Sequence, residues 1–154
     1  MRVFPDYSGP MSRWPRLEAI PYAQETLAAL RPGWIVGLAT NAVDSSEAEI
    51  RDALARVQLD ECVDRVFCYQ QVGCKKPSPR FFEFILNDLG LDPSRVTMVG
   101  DNYEEDVLGA NRSGLRAVWF NPRSDAEPSG EMLRTIHDLR DLEGILGQWA
   151  PGTD

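Results

Sequence analysis

Apolar and polar positions alternate along this chain in blocks that change period. Val96, Thr97, Met98 and Val99 are apolar or β-branched, which predicts a short buried strand. Gly100 lets the chain turn, Asp101 falls where that strand would end, and residues 103–110 read as a helix that stops near Gly114. Trp34 to Ala39 is a continuous apolar run, which predicts a strand buried on both faces and ending in Thr40-Asn41. Val66, Phe67, Cys68 and Tyr69 predict another strand, and so do Arg116 to Phe120. Met1 to Phe4 predicts a brief first strand, followed by a turn-rich run, Pro5-Asp6-Tyr7-Ser8-Gly9-Pro10.

Between these runs the period becomes helical. Pro21 is placed to open a helix with Tyr22, Thr26, Leu27 and Leu30 on one face. Ser46 and Glu49 form a capping-box pattern ahead of Ile50, Leu54 and Val57. Ser78-Pro79 opens a helix with Phe82, Ile85, Leu86 and Leu89, closed by Gly90. Residues 121–130 read as a polar loop. Leu139, Leu142, Ile145 and Leu146 read as a closing amphipathic helix, with Trp149 as a packing residue. Strands alternating with helices predict an α/β fold built from βαβ units on a mainly parallel sheet.

Composition narrows the classes. At 154 residues, a single domain spanning 1–154 is the default, with room for one proper core. The net charge of −8 argues against a nucleic-acid or anionic-membrane surface, but a local lysine or metal can still admit a small anion. Cys62, Cys68 and Cys74 are odd in number and lack metal spacing, which fits a reducing compartment. No leader and no membrane-length apolar run is read, so a cytoplasmic protein is expected.

The polar residues of interest recur at strand ends: Asp6, Thr40, Lys76 in the loop after a strand, and Asp101. An open α/β sheet presents ligands outside the carboxyl ends of its strands. Asp101 and Asp106 would face one crevice, where two carboxylates need a metal or hydrogen-bond donors to offset their repulsion.

In order and context these segments resemble the motifs of the haloacid dehalogenase-like (HAD) superfamily. Leu38-Ala39-Thr40-Asn41 looks like its second motif. Gly73-Cys74-Lys75-Lys76-Pro77-Ser78-Pro79 looks like the third, with Lys76 as the motif lysine. Gly100-Asp101 through Asp106 looks like the fourth. The first motif departs from the pattern: Asp6-Tyr7-Ser8-Gly9-Pro10 keeps the first aspartate, but Ser8 replaces the second and Pro10 the threonine. Pro5 also removes a backbone donor from the preceding strand.

The resemblance implies a three-layer Rossmann-like fold with a mainly parallel central sheet and no sizeable cap domain. It also implies a Mg²⁺-dependent phosphatase working through an aspartyl-phosphate. Asp6 would be the nucleophile, and Asp6, the Ser8 carbonyl and Asp101 the Mg²⁺ ligands. Thr40, the Asn41 N–H and Lys76 would hold the phosphate, and Asp106 would bind the metal through water or orient Lys76. The substrate would be a phosphorylated small molecule or macromolecule. Because Ser8 cannot serve as the usual acid and base, the enzyme is expected to be slow. The alternative is a catalytically impaired phosphate-sensing or protein-interaction module. His137, the only histidine, is expected to be structural or exposed.

Overall fold

A computed structural model describes residues 9–149. The predicted first strand, Asp6 and Ser8 lie outside the described residues. The chain packs into two compact units, the first ending at Gly73 and the second beginning at Cys74.

In the first unit, strand β1 (Gly37–Ala39) runs parallel to β2 (Arg65–Phe67), with Gly37 opposite Arg65 and Ala39 opposite Phe67. Helix α1 (Ala23–Leu30) precedes β1, and α2 (Glu47–Arg56) connects the two strands. The sequence rules for α2 hold at its N-cap and along most of its stripe, but Glu49 does not return the capping-box bond, since its Oε2 is buried without a partner among the described residues. Ser46 Oγ accepts the Glu49 N–H at 3.2 Å, two glutamates sit in the first turn, and Arg56 sits in the last. Ile50, Ala53 and Leu54 are its buried stripe, while Val57 falls at the C-cap. They pack with Met11, Val63, Val66 and Cys68 into one core. Burying a side chain the size of Ile50 contributes roughly 1.5–3 kcal/mol.

Three expected elements change in this unit, one of them the strand expected to reach Tyr69, which ends at Phe67. Helix α1 does not open at Pro21, because Tyr22 takes a left-handed conformation (φ 67°) that turns the chain one residue before the helix begins. Tyr22 is therefore exposed, and the buried face is Ala23, Thr26 and Leu30. Strand β1 is half the expected length and not buried on both faces: Gly37 is exposed, Leu38 and Ala39 are only half-buried, and Ile35 ahead of the strand is 55% exposed. A side chain takes the place of a strand partner here. Asp64 Oδ2 accepts the Val36 N–H at 2.8 Å, and its other oxygen accepts from Arg31 at 2.8 Å. The Val36 N–H, and then the Arg31 guanidinium, hold the Asp64 carboxyl below its ordinary range.

A short helix, α3 (Tyr69–Val72), leads out of β2 and ends at Gly73 with φ 82°.

The second unit carries α4 (Pro79–Leu89), closed by Gly90 at φ 63°, whose N–H donates to the Leu86 carbonyl. Strands β3 (Thr97–Gly100), β4 (Arg116–Phe120) and β5 (Leu133–Ile136) form one parallel sheet in that order. A wide turn, Tyr103–Leu108, runs directly into α5 (Gly109–Arg112). Phe82, Val107, Ala110, Leu115, Ala117 and Leu133 form the core.

Strand β5 was not among the expected elements. Its four residues are too few to establish a period, and only Leu133 and Ile136 are buried. The closing helix α6 (Leu142–Trp149) starts later than the leucine pattern suggested, after a turn capped by Asp138. Trp149 is a packing residue as expected: the guanidiniums of Arg134 and Arg116 lie 4.8 and 5.6 Å from its ring centre. No helix among the described residues is long and apolar enough to cross a membrane.

Candidate active site

Three of the residues singled out from the sequence lie in the second unit, and two of them touch. Lys76 Nζ donates to Asp106 Oδ1 at 2.6 Å, and both side chains are more than nine-tenths buried. Asp106 is fixed on its other side as well, where Oδ2 accepts the Asn102 N–H at 3.1 Å. Its own N–H donates to the Asn102 carbonyl at 2.9 Å. Both oxygens of Asp106 are thus engaged.

The local sequence explains this placement. The β3 ladder ends at Gly100, and Asn102 caps the wide turn by accepting the Glu105 N–H at 2.9 Å. The turn then brings Asp106 back over Gly100. A Cβ at Gly100 would lie 2.1 Å from Asp106 Oδ2 and 2.5 Å from its Cβ, so only glycine leaves space for the carboxylate. On the lysine side, Pro77 follows Lys76 through a cis peptide and packs against Gly109, where a Cβ would sit 2.8 Å from the proline ring.

Asp101 is the first residue past β3. Its side chain is exposed, and its backbone carbonyl accepts the Trp119 Nε1–H at 3.0 Å. Its carboxylate makes no hydrogen bond among the described residues. It is a hard oxygen donor at a strand end, the kind of ligand Mg²⁺ takes one or two of, alongside water and phosphate oxygens. Among the described residues no three His, Cys, Asp or Glu side chains gather into a metal cage. The Asp101 carboxylate by itself fits a cation that takes few protein carboxylates and fills its shell with water and phosphate oxygens.

Thr40 and Asn41 lie in the first unit, at the carboxyl end of β1. The Thr40 N–H extends the ladder to the Phe67 carbonyl at 3.0 Å, and its Oγ1 accepts the Ala42 N–H at 3.1 Å. That bond uses one lone pair and leaves the O–H to donate. Thr40 is buried, while Asn41 is half-buried.

His137 has another task. Nδ1 lies 2.6 Å from the Asn121 carbonyl, and Nε2 lies 2.7 Å from Glu127 Oε1. Two acceptors on one ring favour the imidazolium, so the Asn121 carbonyl first, and Glu127 next, raise its pKa above the ordinary 6.5. Asn121, itself buried, donates through Nδ2 to Ser124 and Ala126. The ring therefore ties the 121–130 loop to the end of β5.

Sequence reasoning passed over Asn102, Trp119 and the packing role of Gly100. The Asn102–Glu105 spacing is a cap signal that was open to reading. Trp119 carried none, because its relation to Asp101 depends on strand register.

The haloacid dehalogenase-like hydrolase family model matches residues 6–114. Pyrimidine 5'-nucleotidase YjjG of Escherichia coli is 33% identical over 129 residues, covering 82% of this chain and 56% of its own. A solved structure of an uncharacterized protein from Listeria monocytogenes serotype 4b superposes with a TM-score of 0.80 at 28% identity, over 91% of this chain and 85% of its own. A HAD phosphatase from Thermococcus onnurineus gives 0.72 at 32% identity, over 84% and 58%.

The chain belongs to the haloacid dehalogenase-like hydrolase superfamily. Its fold is the α/β architecture of that family: mostly parallel strands flanked by helices, with no large inserted cap among the described residues. The chain spans about half the length of the curated relatives it matches.

Proposed function

We propose that this chain is a Mg²⁺-dependent phosphohydrolase that acts on a phosphomonoester, its two units working as one domain. The observation that carries this reading is the buried Lys76–Asp106 pair. A lysine is costly to bury unless it is paired, and pairing it with a carboxylate that is itself held on both oxygens fixes its ammonium in one place. A fixed cation beside a strand end suits charge that builds on a transferring phosphoryl group.

In this reading Asp6 attacks phosphorus, the ester P–O bond breaks and the alcohol leaves with a proton from solvent, and water then cleaves the aspartyl-phosphate to release inorganic phosphate and restore the Asp6 carboxylate. Thr40 donates its hydroxyl, and Asn41 its backbone N–H, to phosphate oxygens. Lys76 balances the developing charge, and Asp106 keeps it aimed. Asp101, with Asp6 and the Ser8 carbonyl, would hold Mg²⁺, which supplies the positive charge that lets a carboxylate approach an anionic phosphate. Ser8 cannot protonate the leaving oxygen, and loss of such a group costs about 10²–10⁴-fold. Turnover is therefore slow, and least impaired on good leaving groups. The unpaired thiols of Cys62, Cys68 and Cys74 support a cytoplasmic setting.

Phosphate release from an activated aryl phosphate, with and without Mg²⁺ and beside Asp6→Asn, tests the proposal. Release that needs both Mg²⁺ and Asp6 supports it, and release no greater than that of the mutant refutes it. Ser8 also motivates a second reading, an impaired phosphate-sensing or interaction module. Ser8→Asp separates the two: a large gain in rate marks a working scaffold short of one group, and no gain favours the module.

A further inference from the structure

We infer that Trp119 is a positioning residue for Asp101, and through it for Mg²⁺ affinity. The metal part of this inference rests on the phosphohydrolase reading; the positioning part does not. One indole makes two attachments. Its Nε1–H donates to the Asp101 carbonyl at 3.0 Å. Its ring meets Tyr103 edge to face, with centroids 5.0 Å apart and planes at 66°.

The register makes both contacts available to the same side chain. Trp119 lies opposite Gly100, the last residue of the β3 ladder, so its indole N–H reaches one residue further, to a carbonyl that no strand pairs. Tyr103, on the other side of Asp101, opens the wide turn that carries Asp106. The segment 101–103 is thus braced at both ends by one side chain of the neighbouring strand.

The brace matters because the Asp101 carboxylate is exposed and makes no hydrogen bond of its own among the described residues. An unbraced ligand on a free turn would have to be ordered when the cation binds, and that ordering would weaken binding. Fixing the peptide beforehand removes part of the cost, as supporting contacts do at other metal sites. An indole N–H on a half-buried strand residue would otherwise donate to water. Spending it on the main chain beside the ligand trades nothing in the core for order at the site.

The test is Trp119→Phe in the full chain, which keeps an aromatic ring against Tyr103 and removes the donor. Amide hydrogen exchange over residues 101–105 is measured without metal. Mg²⁺ affinity is measured by calorimetry, and the Mg²⁺ half-saturation of phosphate release is measured in parallel. The inference expects faster exchange in that segment and about fivefold weaker Mg²⁺ binding, the size of one lost hydrogen bond. It also expects kcat at saturating Mg²⁺ to be largely kept. A merely structural tryptophan would lower the melting temperature and leave Mg²⁺ affinity unmoved.

Unchanged exchange over 101–105 overturns the inference. Asp101→Asn keeps its failure distinct from that of the parent reading. If Asp101→Asn binds Mg²⁺ as the unmodified chain does, the metal assignment falls, while the exchange result still decides whether Trp119 holds the turn.

Discussion

In the second unit, Lys76 meets a buried carboxylate whose other oxygen is already taken. In the first, Thr40 sits at the end of a three-residue strand, and its Oγ1 accepts a single turn contact that leaves the O–H to donate. The candidate cation is thus fixed by a network of buried bonds, while the candidate hydroxyl is fixed by its position on the backbone. A charged group has to be held against its own desolvation, and that takes partners. A neutral hydroxyl needs only the strand end that carries it. The difference predicts that the two regions answer mutation differently, with stability and activity moving together in one and apart in the other.

The largest effect is expected at the pair. Lys76→Met leaves Asp106 buried without its cation and should cost about 3–5 kcal/mol by denaturant unfolding, with phosphate release lost. Adding Asp106→Leu should restore much of the stability and none of the activity. If that double variant is as unstable as the single one, the pairing account of this region is wrong.

Gly100→Ala comes next. The added methyl meets the Asp106 carboxylate at 2.1 Å, and moving that side chain breaks its bond to Lys76 or to the Asn102 N–H. A loss of about 1–3 kcal/mol is expected, with a clear fall in rate. Wild-type melting and turnover would show that the turn yields more easily than its packing implies.

Thr40→Val should split the two readouts. Removing one preorganised donor typically slows turnover about 10²–10³-fold, whereas the lost Ala42 contact is worth only about 1 kcal/mol. A loss of stability as large as that of Lys76→Met would erase the contrast between the regions.

The smallest effect is a pH dependence confined to the second unit. The His137 pKa is raised in the folded chain, so its contribution to stability is complete below the ordinary value of 6.5 and is lost as pH rises through the raised one. The melting temperature should decline through that window, and the decline should vanish in His137→Gln. The same decline in the variant would assign it to another group.

Much of this architecture could be read from the residues, and the exceptions share a cause. Strand β4 and helices α2 and α4 announce themselves through local period and caps: Ser46, Gly90 and the Arg116 to Phe120 run all act within a few residues. The shortened β1, the late start of α1 and the presence of β5 do not, because each depends on a partner distant in sequence or on one backbone angle. The Asp64 carboxylate takes the Val36 N–H from 28 residues away. The site follows the same rule. Thr40, Lys76 and Asp101 stand out in the sequence as candidates at or just after strand ends, and Asp106 through the motif order it shares with Asp101. Trp119 does not, since it reaches Asp101 only through the register of β3 and β4.

The carboxylate of Asp64 has a consequence for how the first unit avoids misassembly. A parallel pair of three-residue strands has few side chains to tell one alignment from the next, and a slip of a single residue exchanges the faces of the whole strand. Asp64 accepts from Val36, and the Val36 carbonyl accepts in turn from the Asp64 and Arg65 N–H groups, while Arg31 holds the carboxylate from the other side. These contacts can all be made in only one alignment. The carboxylate therefore works as an index pin for the β1–β2 seam, and the place where Thr40 emerges at the strand end is set at the opposite end of that seam.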